Sequence, residues 1–227
     1  MIRSCLHIGN LKYYLRLDDG SRMSWEVYVR FWEGLRGQFP RSTHFVATFQ
    51  YKEDAARFLE AVRERFAEFG LELEPDKTRL LEFGRFAEQS RKKRGEGKPE
   101  TFDFLGFTHY CSKSKKTGKF RMKRKTAKKK FRQKAQAMNL WLKHNRHLRL
   151  KDLISLINMK LRGHYQYYGV TDNSVSLGRF HDLTRSMLFK WLNRRSQKRS
   201  YRWDEFSDLL TVFPLAQPRI YFCVHSW

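Results

Sequence analysis

The feature that most restricts the fold of this chain is a stretch from Phe104 to Lys151 without one Asp or Glu. Within it, "KSKKTGKFRMKRKTAKKKFRQK" (113–134) places 13 Lys and Arg among 22 residues. Because unpaired charges are excluded from a protein core, these side chains must lie at the surface above an apolar layer. Apolar residues do recur there at helical spacing, at Phe131, Ala135, Met138 and Leu142. The sequence therefore predicts an amphipathic helix that presents a fixed basic patch.

The overall charge points to the class of partner. The formal net charge is +24, from 47 Lys and Arg against 23 Asp and Glu. Such an excess favours a polyanionic partner, which is usually nucleic acid and less often an anionic membrane. The 227 residues, 41% of them hydrophobic, are enough for a real core.

Cysteine usage and hydropathy predict the compartment. Cys5, Cys111 and Cys223 are odd in number and far apart, so no disulfide framework follows, and a reducing compartment is expected. No apolar run is long enough for a signal peptide or a membrane span. We expect a cytoplasmic protein with no membrane partner.

The first half of the chain predicts short strands and one long helix. A strand over 41–50 leads into a helix from Asp54 to Phe69, which Gly70 ends as a left-handed residue. Further expected elements are a short helix carrying Trp25, Tyr28, Trp32 and Leu35, two strands around a Pro-Asp turn in 71–83, a solvated loop over 88–100 and a strand over 101–110.

The second half predicts helices. After the basic helix, Asp152 is expected to cap a second helix, which Gly163 interrupts. Ser174 opens a third helix, "RWDEFSDLLTVFP" forms a fourth that ends at Pro214, and the tail is extended. The fold class is thus α+β, with strands first and helices after them.

No catalytic site is predicted. The GxSxG, HExxH and glycine-rich phosphate-loop motifs do not occur. His144 and His147 lie three apart, but their neighbours Lys143, Arg146 and Arg149 would repel a metal cation. We therefore expect no catalytic residue, no metal site and no cofactor for the chain alone.

The candidate binding residues are cations and aromatic rings in the second half. Lys and Arg contact phosphates and release counterions, and Tyr rings can stack on unpaired bases. For Tyr165, Tyr167 and Tyr168, packing in the core is the alternative, and we expect at least one of them to be buried. The predicted RNA-binding residues are Lys113, Lys115, Lys116, Lys119, Arg121, Lys123, Arg124, Lys125, Lys128, Lys129, Lys130, Arg132, Lys134, Arg146, Arg162, Tyr165, Tyr168, Arg194 and Arg195.

Several longer motifs resemble one protein family. "FGLELEPDKTRLLEFGRFA" and "KPETFDFLGFTHYCSKSKKTGKF" resemble the end of the palm of group II intron reverse transcriptases. "WLKHNRHLRLKDLISLINMKLRGHYQYYGVTDN" and "FHDLTRSMLFKWLNRRSQKRSYRWDEFSDLL" are similar to the thumb, or maturase-specific X domain, of the same family. The resemblance runs from about Phe45 to about Ile220 and rests on the combination of FLGF with LRG-Y-YYG.

The resemblance implies domains and roles. Residues 1–40 are unmatched, 41–111 would be a palm remnant, and 112–227 would be the basic helical thumb/maturase domain. "FLGF" (Phe104, Leu105, Gly106 and Phe107) matches the hairpin that grips the primer end, and Lys77 of "DKT" matches a palm turn near the catalytic centre. The helical half would bind intron RNA and assist its folding, while the ribozyme performs the chemistry.

One departure from the family concerns its Tyr-Ala-Asp-Asp signature, whose aspartates bind catalytic magnesium. Aligned on "FV", this chain has Arg41, Ser42, Thr43 and His44 at those positions. Thr and neutral His do not replace two hard carboxylate ligands. The resemblance therefore predicts a maturase-type fragment that is inactive as a polymerase by itself.

Three hypotheses follow. The first is a bacterial RNA-binding maturase fragment, with structured intron RNA as its partner and a DNA/RNA duplex as a further candidate. In the second, the chain completes a split reverse transcriptase with an N-terminal half, and only then uses Mg²⁺. In the third, it is a non-functional remnant of a mobile element.

The palm strands raise a physical problem, since their usual neighbours are missing. The exposed edge must be covered by residues 1–40, by a partner or by self-association. We expect Trp25, Tyr28 and Trp32 to cover part of it.

Overall fold

The computed structural model describes residues 5–8, 11–14, 26–33, 35–36, 44–73, 78–114, 117–196 and 200–223. The strands are Cys5–Ile8 (β1), Leu11–Tyr14 (β2), Glu26–Glu33 (β3), Leu35–Arg36 (β4), His44–Phe49 (β5), Glu72–Leu73 (β6), Arg79–Gly84 (β7), Phe102–Phe104 (β8), Phe107–Lys113 (β9) and Phe120–Thr126 (β10). The helices are Lys52–Ala67 (α1), Ala87–Lys93 (α2), Lys128–Asn145 (α3), Leu150–Tyr168 (α4), Ser174–Leu192 (α5) and Trp203–Val212 (α6). Strands precede helices, so the predicted α+β class is confirmed.

The first three-stranded sheet has β3 at its centre. It pairs antiparallel with β5 on one side and β7 on the other. The helix predicted around Tyr28 and Trp32 is therefore wrong. "EVYVRFWE" is rich in β-branched and aromatic residues, which favour strands, and two neighbouring strands satisfy its backbone.

The predicted open edge is thus paired from within the chain. Residues 26–33 supply the strand that β5 and β7 would otherwise lack. The side chains of Tyr28 and Trp32, and all of Trp25, lie outside the described part of the structure. Strands from both sides of the division at residue 40 share this sheet.

The predicted strands in 71–83 exist as β6 and β7, but they do not form a hairpin together. Strand β6 pairs with β4, whereas β7 pairs with β3. Lys77 and the turn around it lie outside the described residues.

Two further predictions concern helices in the first half. Helix α1 is confirmed, and Gly70 follows it with a φ of +64°, a left-handed conformation that favours glycine. The loop predicted over 88–100 is wrong in its first part, where α2 forms. "AEQSRKK" consists mostly of good helix formers, and buried Ala87 anchors it.

The second three-stranded sheet has the order β10-β9-β8. Strand β9 pairs along its whole length with β10, from Phe107 opposite Thr126 to Lys113 opposite Phe120. Much of the basic segment is therefore a hairpin, and only its last part belongs to α3. The predicted domain boundary at residue 111 falls inside β9. A small core of Leu81, Phe83 and Phe102 joins the two sheets.

Helices α3 to α6 enclose the main core. Leu142, Ile157, Leu161, Leu188 and Phe206 are all fully buried within it. Burying one such side chain contributes roughly 1.5–3 kcal/mol, so this cluster dominates the stability of the fold. In the described part of the chain, no helix has the length and apolar character to cross a membrane.

The helix boundaries mostly match the prediction. Helix α4 begins after Arg149 rather than at a cap by Asp152, and it passes through Gly163 without a break. A glycine inside a helix costs only about 1 kcal/mol relative to alanine, which the buried face of α4 outweighs. Helix α5 begins at Ser174 and α6 ends just before Pro214, both as predicted.

Candidate nucleic-acid interface

The turn of the β8–β9 hairpin lies directly against the end of α4. Gly106 has a φ of +80°, and a Cβ built on it would lie 3.0 Å from Tyr168 Oη. Its carbonyl accepts a hydrogen bond of 2.9 Å from the Ala127 amide at the start of α3. Only glycine combines this conformation with such a close approach.

Aromatic rings also pack between the β8–β9 hairpin and the end of α4. The Phe107 ring lies 5.2 Å from the Tyr168 ring and 6.0 Å from the Tyr167 ring, centroid to centroid. Tyr167 Oη donates a hydrogen bond of 2.9 Å to the Leu105 carbonyl. The FLGF and YYG motifs, which the sequence only showed to co-occur, are therefore packed against each other.

Asn173 ties the second sheet to two helices. It is fully buried, and its Oδ1 accepts from the Thr126 amide at 2.8 Å. Its Nδ2 donates to the Tyr168 carbonyl at 2.8 Å and to Thr126 Oγ1 at 3.0 Å. We call this set of contacts, made by Gly106, Ala127, Tyr168 and Asn173 with Thr126, the junction.

An ion pair and the C-terminal tail surround the junction. Arg121 Nε on β10 lies 3.6 Å from Asp172 Oδ2, beside Asn173. The amides of Tyr221 and Phe222 donate to the Gly169 carbonyl at 2.7 and 3.0 Å. The loop between α4 and α5 is thus held by the sheet on one side and by the tail on the other.

The basic surface lies next to the junction. We use this name for the β9–β10 hairpin from Lys119 onwards and the first two turns of α3, to Lys134. Six lysines and one arginine are exposed here: Lys119, Lys125, Lys128, Lys129, Lys130, Lys134 and Arg132. Arg121, Lys123 and Arg124 are half-buried. Lys115 and Lys116 lie outside the described residues.

The start of α3 is electrostatically unusual. Its first turn contains three lysines and no acidic residue, and Ala127 at the N-cap makes no side-chain cap. The N-terminus of a helix carries a partial positive charge, so acidic residues are favoured there and cations are not. The arrangement costs stability in the free protein, and a bound anion would relieve that cost.

Few carboxylates compensate this surface. On it, Arg121 pairs with Asp172, and Lys113, just outside it, lies 3.4 Å from Glu88. Within the described residues, no ion pair involves Lys119, Lys125 or the lysines at the start of α3. A phosphate backbone can therefore approach without displacing an internal partner.

A family model described as the maturase-specific domain of group II introns matches residues 128–207. This segment is therefore similar to a maturase-specific domain, and we refer to residues 128–207 as the maturase domain. It begins at the first residue of α3 and ends within α6. The match supports a maturase-type role in group II intron splicing and implies binding of the intron RNA. No curated protein matches the chain.

Two of the predicted stacking residues lie in the core of the maturase domain. Tyr165 and Tyr168 are only 1% and 4% exposed, because both lie on the inward face of α4. Tyr165 Oη donates to the Ala216 carbonyl at 3.2 Å. Neither ring face is open to a base, so their prediction as RNA-stacking residues is wrong. Tyr167, which was left out of that list, is 54% exposed.

The remaining predicted residues lie elsewhere on the maturase domain. Arg162 is exposed on α4. Arg146 and Arg194 lie at the far ends of α3 and α5, next to Trp191, and Arg195 Nη2 donates to the Leu148 carbonyl at 2.9 Å. In the first half, Leu105 is exposed at the hairpin turn.

Asn173 is central and fully buried, but neither spacing nor charge indicates it in the sequence. Trp191 is buried as well, whereas Tyr167, one of the three tyrosines considered as stacking or core rings, is exposed. His164 is another buried polar group. Burial and the nearby Lys134 lower its pKa from 6.5 to about 4. Its ring stacks on Phe180, with centroids 4.0 Å apart.

Proposed function

We propose that this chain is an RNA-binding, maturase-type protein that helps a group II intron RNA reach its splicing-competent fold. The observation that carries the proposal is the basic surface, which is continuous with the maturase domain and almost free of internal carboxylate partners. Its cations replace the counterions that RNA must otherwise concentrate when its strands pack together. The RNA would perform the splicing chemistry itself.

The folded support makes this surface effective. The β9–β10 hairpin and the start of α3 are joined by hydrogen bonds through Gly106 and Asn173. The lysines are therefore held on fixed backbone rather than on a flexible arm. Less conformational entropy is lost when a pre-organised surface binds.

A polymerase activity is not proposed for the chain alone. Residues 41–44 are Arg, Ser, Thr and His, which do not offer the two carboxylates that the resembled family uses for magnesium. His44 begins β5, and the three residues before it lie outside the described part of the structure. Participation in a split reverse transcriptase would require a second chain that carries the Asp pair and the metal.

Titration of intron RNA at several salt concentrations tests the proposal. We expect binding that weakens steeply with salt, and a log–log slope that falls by about 2 to 3 in a Lys128→Gln/Lys129→Gln/Lys130→Gln variant. A Lys92→Gln/Lys93→Gln/Lys98→Gln variant is the matched control, since it removes three exposed lysines that do not belong to the basic surface. Wild-type protein that binds no better at low salt than an acidic control protein would refute the proposal.

The split-polymerase alternative has a separate experiment. Primer extension with this chain, Mg²⁺ and a candidate N-terminal half should give product only when both chains are present. Extension by the partner alone, or no product with any partner that carries an Asp-Asp pair, would count against it.

A further inference from the structure

Helix α3 carries its cations at two separate ends. The first seven residues include Lys128, Lys129, Lys130, Arg132 and Lys134. From Ala135 to Leu142 there is no charged side chain. Cations resume at Lys143 and continue through Arg146, just past the helix end. At 1.5 Å per residue, the two ends are about 25 Å apart.

At the second end, three cations surround one indole ring. Arg146 Cζ lies 5.7 Å from the Trp191 ring centroid, Lys190 Nζ 5.3 Å and Arg194 Cζ 5.6 Å. These distances are within the range of cation–π attraction. We call these four residues the Trp191 cluster.

The ring that organises the cluster is itself fixed. Trp191 is 7% exposed, and its Nε1 donates a hydrogen bond of 2.8 Å to Asn139 Oδ1 on α3. The ends of α3 and α5 are also linked nearby, where Arg195 donates to the Leu148 carbonyl. Lys190 and Arg194 are exposed and Arg146 is half-buried, so their polar heads remain accessible around an immobile centre.

The cations of the cluster are not neutralised by ion pairs in the part of the chain that the structure describes. Within the described residues, no ion pair involves Arg146, Lys190 or Arg194. The helix dipoles favour cations at the ends of α3 and α5, which accounts for basic residues there. The dipoles do not account for three mutually repelling charges around one ring.

A second arginine–tryptophan pair, between α5 and α6, shows the contrast. Arg185 Cζ on α5 lies 4.9 Å from the centroid of Trp203, the first residue of α6, and its Nη2 donates to Ser207 Oγ at 3.0 Å. Helix α6 also carries Asp204 and Asp208. A single arginine on an indole with acidic residues nearby is an ordinary packing arrangement, whereas the Trp191 cluster concentrates positive charge.

We propose that the Trp191 cluster is a second phosphate-binding site, which holds an RNA backbone segment about 25 Å from the segment on the basic surface. The inference rests on the proposed RNA-binding function. Two guanidinium groups offer paired N–H donors that match phosphate oxygens, and Lys190 adds a third charge. Helix α3 then acts as a rigid spacer between two contacts to the RNA backbone, and its uncharged middle contributes little to RNA affinity.

The first test removes the arginine charges. In Arg146→Gln/Arg194→Gln, the log–log salt slope for intron RNA should fall by about 1.5, and the affinity should drop by roughly tenfold or more at low salt. Arg146→Lys/Arg194→Lys keeps the charge and should keep the slope. Arg57→Gln/Arg63→Gln on α1 is the control, because it removes two exposed arginines outside the cluster. Thermal melts of all variants report folding.

The second test needs no variant. Acetylation of lysines with and without intron RNA, followed by mass spectrometry, should show protection of Lys190 as well as Lys128, Lys129 and Lys130. Exposed Lys52 on α1 should label equally in both samples. Equal labelling of Lys190 with and without RNA, or an unchanged slope in the Gln variant, would overturn the second site while the proposed function stands. Wild-type protein that binds no RNA would overturn both.

Discussion

The junction and the basic surface are neighbours with opposite physical character. The junction is buried and uncharged, and its polar atoms satisfy each other through Asn173. The basic surface is exposed and charged, and few partners within the chain compensate it. One region should therefore contribute stability with little direct effect on binding, and the other should contribute binding at some cost in stability.

The largest effect is expected from Asn173→Ala. The change would remove three hydrogen bonds, to the Thr126 amide, Thr126 Oγ1 and the Tyr168 carbonyl, and would leave the buried Thr126 amide without this partner. The Tyr168 carbonyl would keep its hydrogen bond from the Val170 amide. We expect a cost of about 4 kcal/mol in unfolding free energy. Denaturant unfolding measures this. The RNA salt slope of the variant, taken at low temperature where it is folded, should stay at the wild-type value.

Asn145→Ala is the matched control for that variant. Asn145 Nδ2 makes a single hydrogen bond of 2.8 Å to the Trp141 carbonyl at the end of α3. Its loss should cost about 1 kcal/mol. If both variants lost the same small amount, the assignment of the junction as the stabilising region would fail.

A smaller effect is expected from lowering the pH. The pKa of His164 is about 4 in the folded protein against 6.5 for the free group, so the unfolded chain binds the extra proton first as pH falls. The unfolding free energy should be highest above pH 6.5 and decrease by up to about 3 kcal/mol as the pH approaches 4.

His164→Gln should flatten much of that pH profile. Burial also lowers the pKa of His109 beside Phe102, which contributes in the same direction and should leave a residual slope. Unfolding free energies measured between pH 4 and 7 provide the comparison. A profile that is as steep in His164→Gln as in the wild type would contradict the assignment.

The smallest effect, and the sharpest contrast, concerns the start of α3. Lys128→Gln/Lys129→Gln/Lys130→Gln should raise the unfolding free energy by about 1 kcal/mol, because it removes cations from the positive end of the helix. The same variant should bind RNA more weakly. Lys143→Gln, in the last turn, should instead lower the unfolding free energy by about 0.3 kcal/mol. High salt should erase both stability differences.

Whether a structural feature can be predicted from the sequence depends on how far apart along the chain the residues that determine it lie. The helices of the second half could be located from periodicity, because each apolar face depends on residues three and four apart. The sequence predicts a helix over residues 26–33 because Tyr28 and Trp32 lie four apart, a spacing that places them on one face of either a helix or a strand. Their pairing with 44–49 and 79–84 decides for a strand, and no local pattern contains that information.

In the candidate interface, too, local sequence patterns indicate some features and not those that depend on long-range packing. The basic residues were found from charge alone, since charge density is visible in a linear sequence. The burial of Tyr165 and Tyr168 was not resolved, because stacking rings and core rings have the same composition. Asn173 had no signal at all, since its partner Thr126 lies 47 residues away.

Local chemistry was enough to establish the unopposed positive charge, the α+β order and the left-handed Gly70, since each depends on residues close together in the chain. Long-range packing was needed to bring FLGF against YYG, to place β3 between two strands and to gather three cations around Trp191. Those arrangements depend on which distant segments pack together and exclude water. The free energy that decides this is a property of the whole fold.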